Sequence, residues 1–426
     1  MVEMVLKIKK LFFYFFHFIV VFCFLLKMPL FMGLTARNLS LAIAIFTLLI
    51  RYREVKLIFQ LINKKNNLIV VCLFIICTFI CFCSLPSIRI VGTQYMEPWF
   101  FFYEYANVML FMLYTVVVFK DINEFLKVYV PIFIVQAVAV FMAVVNSSVR
   151  LFLYSNFYIG DDRFARTIED GTRIVGIGIY ASSGSIICST ICLFLVYAAL
   201  KNKINTITLV LLYLVMVMMT IFIGRTGVLV ELLVLAYYFI AGKFSLKKLV
   251  SIILSISIIP IAIVSLVSYM DVSGADVLLE WAFGFLDKEQ IQGTASVVAY
   301  KFPDFDEHMI FGTGVLRGTT EYGTFVWSDS GYVKTYCAIG IVGAFLYYFA
   351  YLKLFSMPKL NNAPKIISMY ILLIVLIAFI IEYKEPYMHR CIFNWTILSV
   401  IIFEAKDNRF KLNNNEQIFN LHSLSR

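Results

Sequence analysis

Charge is what this sequence has least of. Asp, Glu, Lys and Arg make up 15% of its 426 residues while 62% are hydrophobic, against roughly 25% charged in soluble domains. Such a chain cannot wrap a core in a polar surface, so lipid is its main solvent. Apolar runs recur along its length and leave no room for a separate soluble domain. Catalytic and nucleotide-binding signatures are missing as well: there is no Walker A loop, no GxGxxG after a strand, no GxSxG and no HExxH. Their absence argues against ATP-driven or soluble-cofactor chemistry, and no cofactor is expected. The nine cysteines form no CxxC pair and no spaced framework. Most of them, including Cys72, Cys77, Cys81, Cys188 and Cys192, lie inside apolar runs and read as small core residues with no metal or disulfide role.

What is present is a series of apolar runs, each near the 20 or so residues that span a bilayer. They predict an all-α polytopic membrane protein, a single transmembrane domain over 1–426 with about 12 transmembrane helices. The expected spans are 11–32, 34–50, 67–83, 99–119, 126–147, 178–200, 207–223, 225–242, 249–269, 329–352, 366–382 and 391–404. Lys7, Lys9 and Lys10 precede the first run, which has no small-residue cleavage site and is expected to be a retained helix. The net charge of +10 sits mostly in short connections, where it fixes topology, so no nucleic-acid partner is expected. Alternate connections carry the basic excess, including Arg51, Arg53, Lys64, Lys65, Lys201, Lys203, Lys247, Lys248 and Lys359. That asymmetry predicts cytoplasmic termini. Two outer loops, over 146–176 and 270–328, are longer than a connection needs, and loops of that size are usually functional. In the larger, Gly274 to Leu286 is amphipathic, with Trp281, Phe283 and Phe285 suited to the membrane interface.

Charge near the outer ends of helices is the first place to look for chemistry, because it is costly there. Arg225 lies in Ile-Gly-Arg-Thr-Gly between two apolar runs, with Glu231 less than two turns deeper. It is either a snorkelling arginine capping a helical hairpin or an anion ligand, with Gly224 and Gly227 allowing close backbone approach. The first outer loop mixes Arg163, Arg166 and Arg173 with Asp161, Asp162, Glu169 and Asp170, as a solvated loop would; Arg173 is nearest the membrane. Glu382, Lys384, Glu385, His389 and Arg390 form a third cluster, open to internal pairing or to function. Asp304, Asp306, Glu307 and His308 match no dedicated metal spacing, so no metal is expected. Asp329 stands at a helix start, as an N-cap or as a general base aimed at a hydroxyl. Midplane segments read as almost purely apolar, which weighs against ion-driven transport.

At these residues the chain resembles the Wzy-type repeat-unit polymerases of bacterial surface polysaccharides, relatives of the O-antigen ligases. The resemblance covers most of the chain. It rests on about a dozen spans with one large late outer loop, on Arg225-Thr-Gly227, on Arg173 and the glycines after it, and on Phe311-Gly-Thr-Gly314. Asp329-Ser-Gly-Tyr332, Ile339-Gly-Ile-Val-Gly343 and Glu382-Tyr-Lys-Glu-Pro386 complete it. The resemblance implies polymerisation of undecaprenyl-pyrophosphate-linked oligosaccharide at the outer face of the cytoplasmic membrane, with room for a chain-length-regulating partner. It also implies a metal-independent diphosphate clamp from Arg225 and Arg173 with Lys384 or Arg390, and a catalytic base at Asp329, with Glu382 as the alternate. The ligase branch usually carries His-Asn where this chain has Ser328-Asp329, which favours polymerase over ligase. A flippase for the same lipid-linked sugar is the other alternative, but no internal repeat is detected.

Overall fold

The computed structural model describes residues 2–62 except 27 and 31–34, 97–157, and 174–241 except 175, 179 and 180. It further describes 250, 261, 302, 307–314, 318, 319, 325, 326, 328, 330–355, 363–384, 388 and 393–407. Helices dominate. In chain order they are α1 (Val2–Leu26), α2 (Ala36–Ile50), α3 (Tyr52–Ile62), α4 (Glu97–Val118), α5 (Ile122–Val145) and α6 (Ser147–Phe157). Then come α7 (Ala181–Leu200), α8 (Thr206–Ile223), α9 (Arg225–Ala241), α10 (Gly331–Phe355), α11 (Lys365–Lys384) and α12 (393–407). A 3₁₀ helix, Glu307–Ile310, and a two-residue antiparallel pair, Gly318–Thr319 with Phe325–Val326, complete the described regular structure.

Among the described residues, α1, α5, α8, α10 and α11 are long and apolar enough to cross a membrane. Their outward faces are apolar too. On α11, Leu372, Leu376 and Ile380 are exposed at helical spacing, while Tyr370, Ile374, Ala378 and Ile381 are buried on the opposite face. An apolar outside over an apolar inside needs lipid as solvent, and the protein is membrane-embedded.

Ten of the twelve expected spans appear as helices, and 67–83 and 249–269 lie outside the described residues, apart from isolated positions. Three boundaries differ from expectation. The first helix already contains Lys7, Lys9 and Lys10, because lysine is a good helix former, and it ends before Pro29, which cannot continue it. Residues 52–62 are helical where a basic connection was expected, with Arg53, Glu54 and Lys56 set against apolar neighbours as in an interfacial helix. The first third of the 146–176 loop is α6, capped by Asn146, whose Oδ1 accepts the N–H groups of Ser148 (2.9 Å) and Val149 (3.3 Å).

The chain divides into two compact units, each drawn from separate stretches: 1–47 with 122–294, and 48–121 with 295–426. In the first, α7 is the central helix. Every residue from 184 to 199 is buried, with α5, α8 and α9 packed around it. Its Ser, Gly, Cys and Ala positions let backbones approach closely, the usual way to pack helices where lipid removes the hydrophobic drive. The turn from α7 to α8 is closed by Asn202 in the left-handed region (φ 55), by Lys203 N–H to Ala198 O (2.8 Å), and by the Asn205 cap on Thr208 N–H (2.8 Å).

In the second unit, α4 and α12 meet around Trp395. Its indole N–H donates to Thr115 Oγ1 (3.0 Å), and its ring meets Phe111 edge-on at 5.9 Å. The open carbonyls at the end of α4 are taken by basic side chains. Lys406 Nζ donates to Val116 O (2.9 Å) and Phe119 O (3.0 Å), and Arg51 Nη1 to Val117 O (3.3 Å). Cations at a helix C-terminus also meet the negative end of its dipole. Thr115→Val keeps the shape but leaves the fully buried indole N–H without its acceptor. It is expected to cost about 1–2 kcal/mol, read as a lower midpoint of detergent-induced unfolding in mixed micelles.

Candidate functional site

In the first unit, the segment 174–178 is bolted into the helices by its backbone. Ile177 N–H donates to Gln136 Oε1 in mid-α5 (3.0 Å), and Ile174 N–H donates to Phe222 O near the end of α8 (3.4 Å). Both glycines of the segment are closely approached, Gly176 by a side-chain amide and Gly178 by backbone, so packing demands glycine at 178. A Cβ on Gly176 would lie 1.7 Å from Gln136 Nε2, and one on Gly178, at φ +67, would lie 1.7 Å from Leu26 O. The Ile174–Phe222 bond sets Ile174, the residue after Arg173, against the end of α8, three residues before Arg225. Arg173 itself and the Arg225 side chain lie outside the described residues.

The Arg-Thr-Gly motif has a packing explanation of its own. Gly227 N–H donates to Ser185 Oγ on α7 (3.1 Å), and a Cβ at 227 would sit 2.1 Å from Ser185 O. The close approach that Gly227 permits is therefore to α7, where the sequence reading offered a ligand. Gly224 is extended (φ −178), a conformation open to any residue, and its N–H closes α8 on Thr220 O.

In the second unit, two motifs that lie far apart in sequence meet. Helix α10 is broken at Gly340 (φ 69, ψ 179). An unbroken helix would fill the carbonyls of Cys337 and Ala338 with N–H groups four residues on. Here Thr313 N–H and Oγ1 take Cys337 O (2.8 and 3.0 Å), and Gly314 N–H takes Ala338 O (2.9 Å). Phe311-Gly-Thr-Gly314 is thus the plug of a broken helix, and Met309 packs beneath it on Val333, Tyr336 and Cys337. Gly312 (φ 85) and Gly340 face each other so closely that a Cβ on Gly340 would lie 2.4 Å from Ile310 O and 2.5 Å from Gly312 N.

Glu382 closes the same region. Its Oε1 accepts the Tyr348 hydroxyl (2.9 Å), which also lies 3.1 Å from Thr335 Oγ1, and its Oε2 accepts Met388 N–H (2.7 Å). Met388 O in turn accepts from the Tyr351 hydroxyl (2.9 Å) and Asn394 Nδ2 (2.8 Å). The fully buried carboxylate therefore braces the connection from α11 to α12. Beside it, Phe302, Tyr332, Tyr336, Ile341, Phe345 and Tyr348 line an aromatic groove of about 510 Å³.

Of the expected site residues, Glu382 is buried in this brace, and Lys384 is exposed at the end of α11. Asp329 and Arg390 lie outside the described residues, as do Asp304, Asp306 and the side chains of Glu307 and His308. Asp329 is flanked by buried Ser328 and Ser330. Ser330 directly precedes α10, its carbonyl accepting Lys334 N–H (3.1 Å) and its own N–H donating to Ser328 Oγ (3.1 Å).

The expectation of an almost purely apolar interior needs correction. Gln136, Thr220 and Glu231 are buried within helices, and α6 contributes a buried Arg150 whose Nη1 reaches Ala143 O (3.3 Å). Burial holds the Arg150 guanidinium below its ordinary pKa. Glu231 was noted in the sequence for its place below Arg225; Gln136 stands alone in a long apolar run, and that isolation was the signal that could have marked it.

Gly340→Ala is expected to unseat the plug, at a cost of about 1–3 kcal/mol for the strained backbone alone. A thermal-shift assay in detergent checks it, together with faster proteolysis near residue 311. No family model matches the chain, and neither a curated protein nor a solved structure matches it, so the functional reading rests on the residues themselves.

Proposed function

We propose that the chain is a membrane glycosyltransferase that polymerises undecaprenyl-pyrophosphate-linked oligosaccharide repeats at the outer face of the cytoplasmic membrane. The observation that supports this reading is the Ile174–Phe222 bond at the end of α8. It ties the residue after Arg173 to a backbone position three residues before Arg225, where α9 begins, and of the first N–H groups of α9 that of Gly227 is given to Ser185. Two guanidiniums and such N–H groups suit a diphosphate, which two arginines can neutralise bidentately without a metal.

The reaction asks little more of the protein. The growing chain leaves its diphosphate carrier and joins a hydroxyl at the nonreducing end of the next carrier-linked unit; the hydroxyl proton goes to a base. Asp329 is assigned that role. Glu382 is better suited to bracing, because both its oxygens already accept hydrogen bonds, and Lys384 and Arg390 remain supporting cations near the membrane surface. The sidedness, with about 12 spans and cytoplasmic termini, is supported by Arg51 and Lys406. Both cap the same end of α4, as residues expected on one side of the membrane must.

A second reading, transport of a lipid-linked sugar, draws support from Glu231, a carboxylate buried within the helical core. The size distribution of carrier-linked and surface glycans separates the two. Cells lacking the gene are expected to export single repeats but lose the ladder of longer chains. Arg225→Ala and Asp329→Asn are expected to reproduce that loss at normal protein levels, whereas Glu382→Gln lowers protein stability first. Long polymer persisting with Arg225→Ala would overturn the clamp. Repeats accumulating inside the cell would make the protein a flippase, and long carrier-linked chains that fail to reach their acceptor would make it a ligase.

A further inference from the structure

Glu231 has no place in the proposed transfer, yet it is a carboxylate buried in the first unit at a cost. It is fully buried on α9, at the contact with α7 and α8. Its Oε1 accepts the Thr220 hydroxyl (2.8 Å) and lies 3.6 Å from Cys192 Sγ. Its Oε2 meets no hydrogen-bond partner among the described residues. Among the described side chains, the titratable groups facing it are the thiols of Cys188 and Cys192 on α7 and the phenol of Tyr213 on α8, whose hydroxyl donates to the Glu231 backbone carbonyl.

None of these groups is a cation. Neither α7 nor α8 contains a single Asp, Glu, Lys or Arg. On α9 itself the only other charge is Arg225. It stands six residues away, about 9 Å along the axis and about 240° around it, on a different face of the helix. An ionised carboxylate without a counter-charge costs several kcal/mol in such surroundings. A neutral carboxyl costs far less, and its bonds to Thr220 and Cys192 are retained in either form. We propose that Glu231 is an intramembrane proton-binding site, its carboxyl carrying an exchangeable proton in the core formed by α7, α8 and α9.

The proposal stands apart from sugar transfer and is tested without it. The full-length protein in detergent micelles is treated with a hydrophobic carbodiimide, which reacts with protonated carboxyls. The acid O–H adds across one C=N bond, the acyl group migrates to nitrogen, and a stable N-acylurea remains with no leaving group. Peptide mass spectrometry locates the adduct on the unaltered protein, so the reading does not depend on any variant folding, and Glu231→Gln serves as the blank. The expected result is modification of Glu231 by the hydrophobic reagent but not by a water-soluble carbodiimide. The yield should fall reversibly as pH rises from about 5 to about 10, by about tenfold per unit once past the midpoint. Three results would overturn the proposal: no adduct at any pH, a yield flat across the range, or protection by sodium or potassium at constant pH. The last would make this a metal-cation site.

Discussion

Everything irregular in this protein is governed by one rule: backbone N–H and C=O groups removed from water must find partners within the chain. The break at Gly340 frees the carbonyls of Cys337 and Ala338, and it is tolerable because Thr313 and Gly314 arrive to take them. The segment 174–178 enters the first unit because Gln136 and Phe222 receive its N–H groups. Met388 N–H ends on Glu382, and the carbonyls closing α4 end on Arg51 and Lys406. In each case a polar side chain or a helix end fixes a stretch of chain that would otherwise be too costly to bury.

The rule explains which parts of the structure were legible in the sequence. Long apolar runs leave a helix as the only cheap solution, so the helices could be read, and their ends were missed where a local rule overrode hydropathy, as at Pro29 and Asn146. The short helices α3 and α6 were read as connections because their polar residues sit at loop-like density and their burial depends on neighbours. Gly227 was noticed for the wrong reason. It looked like an opening for a ligand, yet it approaches Ser185, just as Gly176 and Gly178 approach Gln136 and Leu26, and Gly312 and Gly340 approach one another. A sequence shows that a backbone must come close to something; only the fold shows what that something is.

The candidate site was legible in part for the same reason. Arg173 and Arg225 were singled out by charge at a membrane boundary, and the bond from Ile174 to Phe222, between backbone positions near each in sequence, is one that no spacing rule would give. Phe311-Gly-Thr-Gly314 and Ile339-Gly-Ile-Val-Gly343 were picked as separate motifs, and they are the two halves of one broken-helix joint. Glu382 was read as a candidate base from its position near a helix end. Its two hydrogen bonds turn it into a brace beside an aromatic groove, and the proposal therefore assigns proton removal to Asp329.

The energetics of the proposed reaction separate its site from Glu231. A sugar diphosphate already carries a good leaving group, so transfer onto a hydroxyl runs downhill and needs only neutralisation and one base, which the proposal assigns to residues expected at the membrane surface. It has no use for an ion gradient. A carboxyl held within α7, α8 and α9, with no cation on the two helices packed against it, contributes nothing to bond making. It destabilises the core whenever it ionises. A helix bundle that keeps such a group ties its packing to one proton.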